Sequence, residues 1–465
     1  MRSTFCYTLL FTILLAACKK ESIITSPEAK VNLSADTLMF DTLFTTTGST
    51  SRFFKIRNDN NQKLRISSVK LMGGINSAYK INVDGFIGPE VKDLELEAND
   101  SLYVYVTVAV NQNSNNIPFI IRDSLQIIYN GKTRWVQLEA WGKNARFFRN
   151  KKITGHEIWT NELPFVILDR LTIEPSGSLT IQKGCQVFVH ANAAIVIHGT
   201  LIMNGEKYDS TKVVFQGDRL DEPYSNYPAS WPGIYFSSSS KNNVLNFAIL
   251  KNAYQAIAAE EPSVNANPKV TLNECIIDNA YDAGIVAINS SIKAQNCLIS
   301  NCGKNILLVK GGDYTFIHCT VASFSNSYIF HRSPVLLISN FINQNNVPVT
   351  ANLNAIFKNN IFWGDNGTVD DEVVVSKSGT TTFNVNFENN LWKVKTTPTN
   401  ITSSQIITNQ NPLFDSINIS KKYFDFRLKA ASPAINKGIA TGIFIDLAGK
   451  PRPVGLPDLG CFEKR

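Results

Sequence analysis

The chain has 465 residues, 44% of them hydrophobic, which is enough apolar material for a large core and two or three domains. Its formal net charge of +7 is spread thinly with no basic block, so nucleic acid has no support as a partner. Beyond residue 17 no stretch is long and apolar enough to form a membrane-spanning helix.

The chain begins MRSTFCYTLLFTILLAACKK, an arginine followed by an apolar run and then Leu15-Ala16-Ala17-Cys18. The order of charge, apolar run and small residues is that of an export signal. An ordinary signal peptide with an incidental cysteine gives the same outline. Small residues directly before Cys18 and a polar stretch directly after it resemble the lipobox of bacterial lipoproteins. The resemblance implies that residues 1–17 are removed and that Cys18 is acylated. Residues 18–29 then act as a tether, and the protein sits in the cell envelope as an outer-membrane lipoprotein. Several acyl chains on one residue give a stable membrane anchor. The polar stretch Lys19-Lys20-Glu21 leaves both the periplasmic and the outward face open.

Residues 30–143 read as strands. Alternating or apolar runs occur at VNLSADTLMFD, RFFKIRN, LRISSVKLM, YKINVDG, SLYVYVTVAV, SLQIIYN and RWVQLEAWG, separated by Asn, Asp and Gly turns. About seven such runs argue for a β-sandwich. Asp36-Thr37-Leu38-Met39-Phe40-Asp41, Ile56-Arg57-Asn58-Asp59 and Leu138-Glu139-Ala140-Trp141-Gly142 resemble, in order, the opening strand, a turn and the closing strand of the ASPM/SPD-2/Hydin type of Ig-like domain. That resemblance implies a spacer and protein-contact module without catalysis.

Residues 144–420 read as a stack of coils. In LTIEPSGSLTIQKGCQVFVHANAAIVIHGTLIMNGEK, apolar and polar residues alternate, and Gly177, Gly184, Gly199 and Gly205 fall where strands end. Four short copies follow: LNFAILKN (245–252), LNECIIDN (272–279), AQNCLISN (294–301) and FIHCTVAS (316–323), at offsets of 27, 22 and 22 residues. A fixed period in this range without helical spacing marks a solenoid with one coil per copy. Ala248, Cys275, Cys297 and Cys319 align, as do Leu250, Ile277, Ile299 and Val321. Columns two apart share a strand face and point inward. Asn252, Asn279 and Asn301 close the first three copies at turns. FKNNIFWG (357–364) and FENNLWKV (387–394) continue the pattern. A leucine-rich repeat has a similar period but needs more leucine and usually a helix. The copies resemble the right-handed parallel β-helix of the pectin-lyase-like superfamily, so the expected fold class is all-β: an N-terminal Ig-like β-sandwich followed by that helix. Residues 421–465 resemble the closing segment of β-helix proteins through Asp425, Arg427, Ser432, Pro433, Asn436, Gly438, Asp446, Gly449, Arg452, Asp458, Gly460 and Glu463. At that position their polar groups are expected to pair with one another and pin a cap.

Without Cys6 and Cys18, six cysteines remain. Export permits disulfides. Stacked coils, however, hold equivalent Cβ atoms about 4.8 Å apart and parallel, whereas a disulfide needs about 3.8 Å and crossed vectors. Cys275, Cys297 and Cys319 are therefore expected as buried thiols.

The superfamily includes polysaccharide lyases and hydrolases as well as proteins without known activity, so fold alone decides nothing. No polygalacturonase-like motif is present, and Asp370-Asp371 falls in a loop. Glu274, Asp278, Asp282 and Asp313 are the acids on the repeat coils. Lys293, Lys304, Lys310, His318, His331 and Arg332 are available bases, but no aligned column unites them with the acids, and scattered charges are usually solvated. No Cys or His cluster has zinc spacing and no phosphate-binding glycine loop occurs, so neither metal nor cofactor is expected. The catalytic residues, if any exist, are not identified. Candidates for ligand contact are Tyr224, Tyr227 and Trp231 on the loop 218–233, which packing over the end or flank of the helix explains equally, together with Thr271, Lys293 and Lys304. The leading expectation is a lipid-anchored, non-catalytic envelope protein that binds polysaccharide or a protein partner. The rivals are a polysaccharide lyase or glycoside hydrolase and a structural or adhesive spacer.

Overall fold

The computed structural model describes residues 22–44, 51–109, 119–220, 222–452 and 456–464, so the expected leader and Cys18 lie outside the described residues. The chain parts into two compact units between Asn144 and Ala145.

The first unit is a β-sandwich. Thr37–Phe44, Lys63–Leu71, Glu90–Leu96, Phe119–Tyr129 and Lys132–Lys143 belong to a six-stranded sheet; Val31–Leu33, Arg52–Asn58, Tyr79–Val83, Phe86–Ile87 and Ser101–Val108 form a five-stranded one. Strict alternation drives the packing: Leu102, Val104, Val106 and Val108 are buried, while Ser101, Tyr103, Tyr105 and Thr107 face outward. The turn at Ile56-Arg57-Asn58-Asp59 has a physical basis. The amide of Asn58 is fully buried and donates to the carbonyls of Gln62, Leu96 and Glu97 at 2.8, 3.2 and 2.9 Å, which ties two strand ends together. Glu90–Leu96 is a strand the runs above omit. Asp93 sits in the left-handed region (φ 54°) opposite Ser67, where the ladder skips one pair between Lys92–Ser68 and Leu94–Ile66 without changing register. The buried Val91, Leu94 and Leu96 therefore break the two-residue period.

The second unit is a parallel β-helix with three faces. An 11-stranded sheet takes one short strand from each coil, from Arg146–Phe148 to Ile407–Thr408. The other two faces join into one 17-stranded sheet, because Ala283–Gln295 and Lys304–Ile317 run across both without a break. The repeat columns keep their register: Leu250 pairs Ile277, Ile277 pairs Ile299, Ile299 pairs Val321, then Phe362 and Trp392 continue inward. Asn252, Asn279 and Asn301 adopt φ of 63°, 57° and 51°, the turn conformation that asparagine tolerates best among residues with a Cβ. Like side chains stack from coil to coil, as in Phe316, Phe357 and Phe387, whose ring centroids are 5.6 and 4.6 Å apart.

The inward column of Ala248, Cys275, Cys297 and Cys319 changes chemistry as it proceeds. All three thiols are buried and unbridged. The next two places hold Asn360 and Asn390, both fully buried. Their amides are completely employed: Asn360 donates to Phe316 O and Asn390 Oδ1 at 3.0 Å each, and Asn390 donates to Phe357 O at 2.9 Å. An internal amide ladder of this kind costs little because every polar group is satisfied.

The tail behaves differently from an end cap: it lies along the flank. Phe414, Phe426, Leu428, Ala434, Leu447, Leu459 and Cys461 form a second core against the outer side of the short-strand sheet, over Leu298, Ala322, Phe324, Ile361, Trp363 and Leu391. The chain then runs back along the corner of the coils. Asn389, Asn359 and Asn296 donate to the carbonyls of Lys437, Ile439 and Ile445, each at 2.8 Å. These coils are apolar on both sides of the strand, so the outward apolar positions could only be stable under such a cover.

Candidate functional site

The outer side of the third face carries a row of side-chain amides. Gln182 pairs Asn204, Asn204 pairs Asn246, Asn246 pairs Asn273 and Asn273 pairs Gln295, so five successive coils present a carboxamide at the same place. Parallel strands set the rungs about 4.8 Å apart. All five are half-buried, and Asn273 donates to Asn246 Oδ1 at 2.8 Å. Each amide has two donors and an acceptor with two lone pairs, so most of the bonding capacity of the row faces outward.

The row floors a groove of about 700 Å³. The opposite wall is the returning tail at Gly442, Ile443, Phe444 and Ile445, with Phe444 71% exposed. Gly205 lets the chain turn at this corner: a Cβ there would meet the Phe247 and Asn246 carbonyls at 2.5 and 2.7 Å. At one end Lys183 Nζ lies 2.9 Å from Glu206 Oε1, so the two charges offset each other. Glu274 also lines the groove but is buried. Burial pushes its carboxyl above the usual range, although Asn296 donates to Oε1 at 2.9 Å.

The expected contact residues divide between two places. Thr271 and Lys293 pair across adjacent coils in the outward column two residues before Asn273 and Gln295, beside the amide row. Lys304, Tyr224 and Tyr227 lie at the corner that follows the short-strand sheet. There Lys304 Nζ contacts Asp282 Oδ1 at 2.7 Å. Tyr224 and Tyr227 are 5.3 Å apart, the Arg219 guanidinium sits 3.8 Å over Tyr224, and Tyr227 meets Tyr328 at 5.2 Å. Trp231 is the correction: it is fully buried, packs 6.1 Å from Phe215 and donates Nε1–H to the Lys251 carbonyl at 2.8 Å. It closes the flank of the core and has no surface to offer a ligand.

The remaining acids and bases are mostly structural. Asp278 accepts from Ser300 Oγ at 2.6 Å, and burial raises its carboxyl. His318 is buried in a left-handed turn, with Asn359 Nδ2 3.0 Å from its Nε2; burial and then Arg452 hold its imidazole down to about 3, so it stays neutral. His331 and Glu372 form a buried pair at 2.8 Å. Among the described residues, no group of three or more His, Cys, Asp or Glu is arranged to hold a metal ion. Asn246, Asn273 and Gln295 stand inside the sequence copies 245–252, 272–279 and 294–301, but the row they form with Gln182 and Asn204 is not among the expected contact residues. The signal was present, since each stands immediately before a corner.

The family model "right handed beta helix region" matches residues 138–321. No curated protein matches the chain. Among solved structures, a family 123 glycoside hydrolase from Clostridium perfringens is 10% identical at a TM-score of 0.20, covering 28% of this chain and 30% of that one. The chain therefore spans under a third of that first structure. A human ASH/PapD-like domain of CEP192 is 10% identical at a TM-score of 0.18, covering 26% of this chain and 89% of the domain. A Salmonella enterica SafA pilin–SafB chaperone structure is 12% identical at 0.17, covering 26% and 57%. With its parallel three-faced coils, the second unit is a right-handed parallel β-helix.

Proposed function

We propose that this is a lipid-anchored cell-envelope protein that binds an extended, neutral polysaccharide in the amide-floored groove without cleaving it. The unbroken row Gln182, Asn204, Asn246, Asn273 and Gln295 carries the reading. A periodic line of amides suits a periodic line of hydroxyls, because each amide both donates and accepts. The long, ridged surface of a solenoid suits an extended ligand. The groove has no excess positive charge: Lys183 is matched by Glu206, and Glu274 is buried. That favours neutral sugars over polyuronates, which need cations for their carboxylates. Phe444 supplies an exposed ring on the opposite wall.

The test is calorimetric titration of the full chain with neutral and uronate oligosaccharides. Neutral chains should bind and uronates should not. Asn246→Ala/Asn273→Ala should weaken binding by roughly tenfold or more, from about 1 kcal/mol per lost hydrogen bond. Unchanged affinity in that variant, or preference for uronates, overturns the reading. A hydrolase or lyase is the second reading, supported by the raised carboxyl of Glu274 at the groove. It requires shortened products that disappear in Glu274→Gln.

A further inference from the structure

The corner that follows the short-strand sheet repeats a pattern from coil to coil: Asn252-Ala253-Tyr254-Gln255, then Asn279-Ala280-Tyr281-Asp282, then Asn301-Cys302-Gly303-Lys304. Backbone bonds hold these in register. Tyr281 N donates to Ala253 O at 2.9 Å and Gly303 N to Ala280 O at 3.0 Å, which places Tyr254, Tyr281 and Gly303 in one outward column. Tyr254 and Tyr281 stack with centroids 6.0 Å apart and planes 28° from parallel, yet they remain 46% and 53% exposed.

The stack stops at Gly303, where no side chain continues it. A Cβ at this position would lie 2.2 Å from the Tyr281 carbonyl oxygen, so the position takes glycine and no side chain extends the stack from it. The neighbouring column is polar and organised. Asp282 accepts from Gln255 Nε2 through Oδ2 and from Lys304 Nζ through Oδ1, both at 2.7 Å. A carboxylate, an amide and an ammonium therefore stand in line beside the end of an aromatic stack. An apolar ring face next to fixed donors and acceptors matches a pyranose, which has apolar C–H faces and hydroxyls at its rim. A purely apolar ring would leave that polar line unused.

We propose that the place above Gly303 is a sugar subsite: one pyranose ring of a neutral glycan stacks on Tyr281 as the third rung and bonds through its hydroxyls to Asp282, Gln255 and Lys304. The subsite lies at a different corner from the amide groove and stands independently of it. It also gives Lys304 a role that an isolated surface ion pair would not have.

The full chain, labelled with 3-fluorotyrosine, is titrated with hexasaccharides of glucose, mannose, galactose and xylose, and separately with indole as a planar ring without hydroxyls. Fluorine resonances are assigned by Tyr281→Phe and Tyr254→Phe, and affinities are measured by calorimetry. At least one hexasaccharide should move the Tyr281 resonance saturably, and more than that of Tyr254. Tyr281→Ala should weaken this binding about tenfold, the scale of a lost aromatic contact. Tyr281→Phe should retain it, and Asn273→Ala should leave the Tyr281 shift in place. The proposal is overturned if no hexasaccharide moves that resonance, if Tyr281→Ala binds as well as the parent, or if indole moves it where sugars do not.

Discussion

Arg452 reaches back 156 residues in sequence to donate through Nη2 to Oδ1 of Asn296 at 2.8 Å, which locks the end of the chain onto the corner of a middle coil. The same guanidinium contacts Glu463 through Nη1 and the Gly460 carbonyl at 2.9 Å, while Asn296 donates to Glu274 and to Ile445 O. Arg452 and Glu463 have side-chain exposures of only 1% and 5%. Arg452→Met therefore leaves Glu463 and Glu274 buried without their cation. We expect a loss of about 3 kcal/mol or more in urea unfolding of the β-helix, partly recovered in Arg452→Met/Glu463→Gln. A loss below about 1 kcal/mol would mean that the apolar plate alone holds the tail.

Cys297 lies between Cys275 and Cys319 in the inward column, and burial followed by its two thiol neighbours pushes its thiol well above the ordinary range. Such a thiol is unreactive. We expect none of the six described cysteines to react with a thiol reagent in the folded chain and all six to react once it is unfolded. Cys297→Asp should cost more than about 4 kcal/mol by placing an unpaired charge in the core, whereas Cys297→Ala should cost about 1–2 kcal/mol. Recovery of any of these cysteines as a disulfide after alkylation under denaturing conditions would contradict the packing.

The anchor at Cys18 is tested by metabolic palmitate labelling of the full chain. Label should appear on the parent and vanish in Cys18→Ala, and the variant should leave the membrane fraction for the soluble one. Equal labelling of both would refute acylation at this residue. Two-chain or three-chain acylation is required for the expected retention, because a single chain holds only marginally.

The coils were legible because a β-helix repeats its own contacts: Leu250, Ile277, Ile299 and Val321 announce one column through sequence spacing alone. The same regularity hid what covers them. Ile361, Trp363 and Leu391 read as ordinary strand residues, but their outward sides meet Phe414, Phe426 and Leu459, contacts that no local period encodes. The strand Glu90–Leu96 escaped because the left-handed residue Asp93 interrupts the alternation, leaving two exposed residues in a row between Val91 and Leu94. The amide row was half visible. Asn246, Asn273 and Gln295 stood inside recognised copies, while Gln182 and Asn204 belong to earlier coils whose corners are glycines. The groove itself depends on the returning tail, so its far wall at Phe444 had no signal near the row. Trp231 misled because a loop aromatic among tyrosines resembles a surface ring, and only the bridge to Ala253 pulls it inward.

Lys269 offers a pH test of the interior. Its side chain is fully buried, and Nζ donates to the carbonyls of Ser237 and Ser238, each at 2.8 Å, in place of a carboxylate partner. Burial lowers its ammonium from the ordinary 10.5 to about 8, with Glu260 and Glu261 opposing the shift from a distance. Between these two values the unfolded chain binds a proton that the folded chain does not, so stability rises with pH across that window. Below pH 8 both states are protonated and the cost of the buried charge is fully present. Tyrosine and cysteine ionisation also acts in this range, so the comparison is with Lys269→Met, which lacks only the one titration. The stability of the parent relative to Lys269→Met should climb by about 3 kcal/mol from pH 8 to pH 10.5 and stay flat from pH 6 to pH 7.5. A flat difference across the upper window, measured by urea midpoints at matched ionic strength, would show that the ammonium keeps its ordinary affinity for the proton.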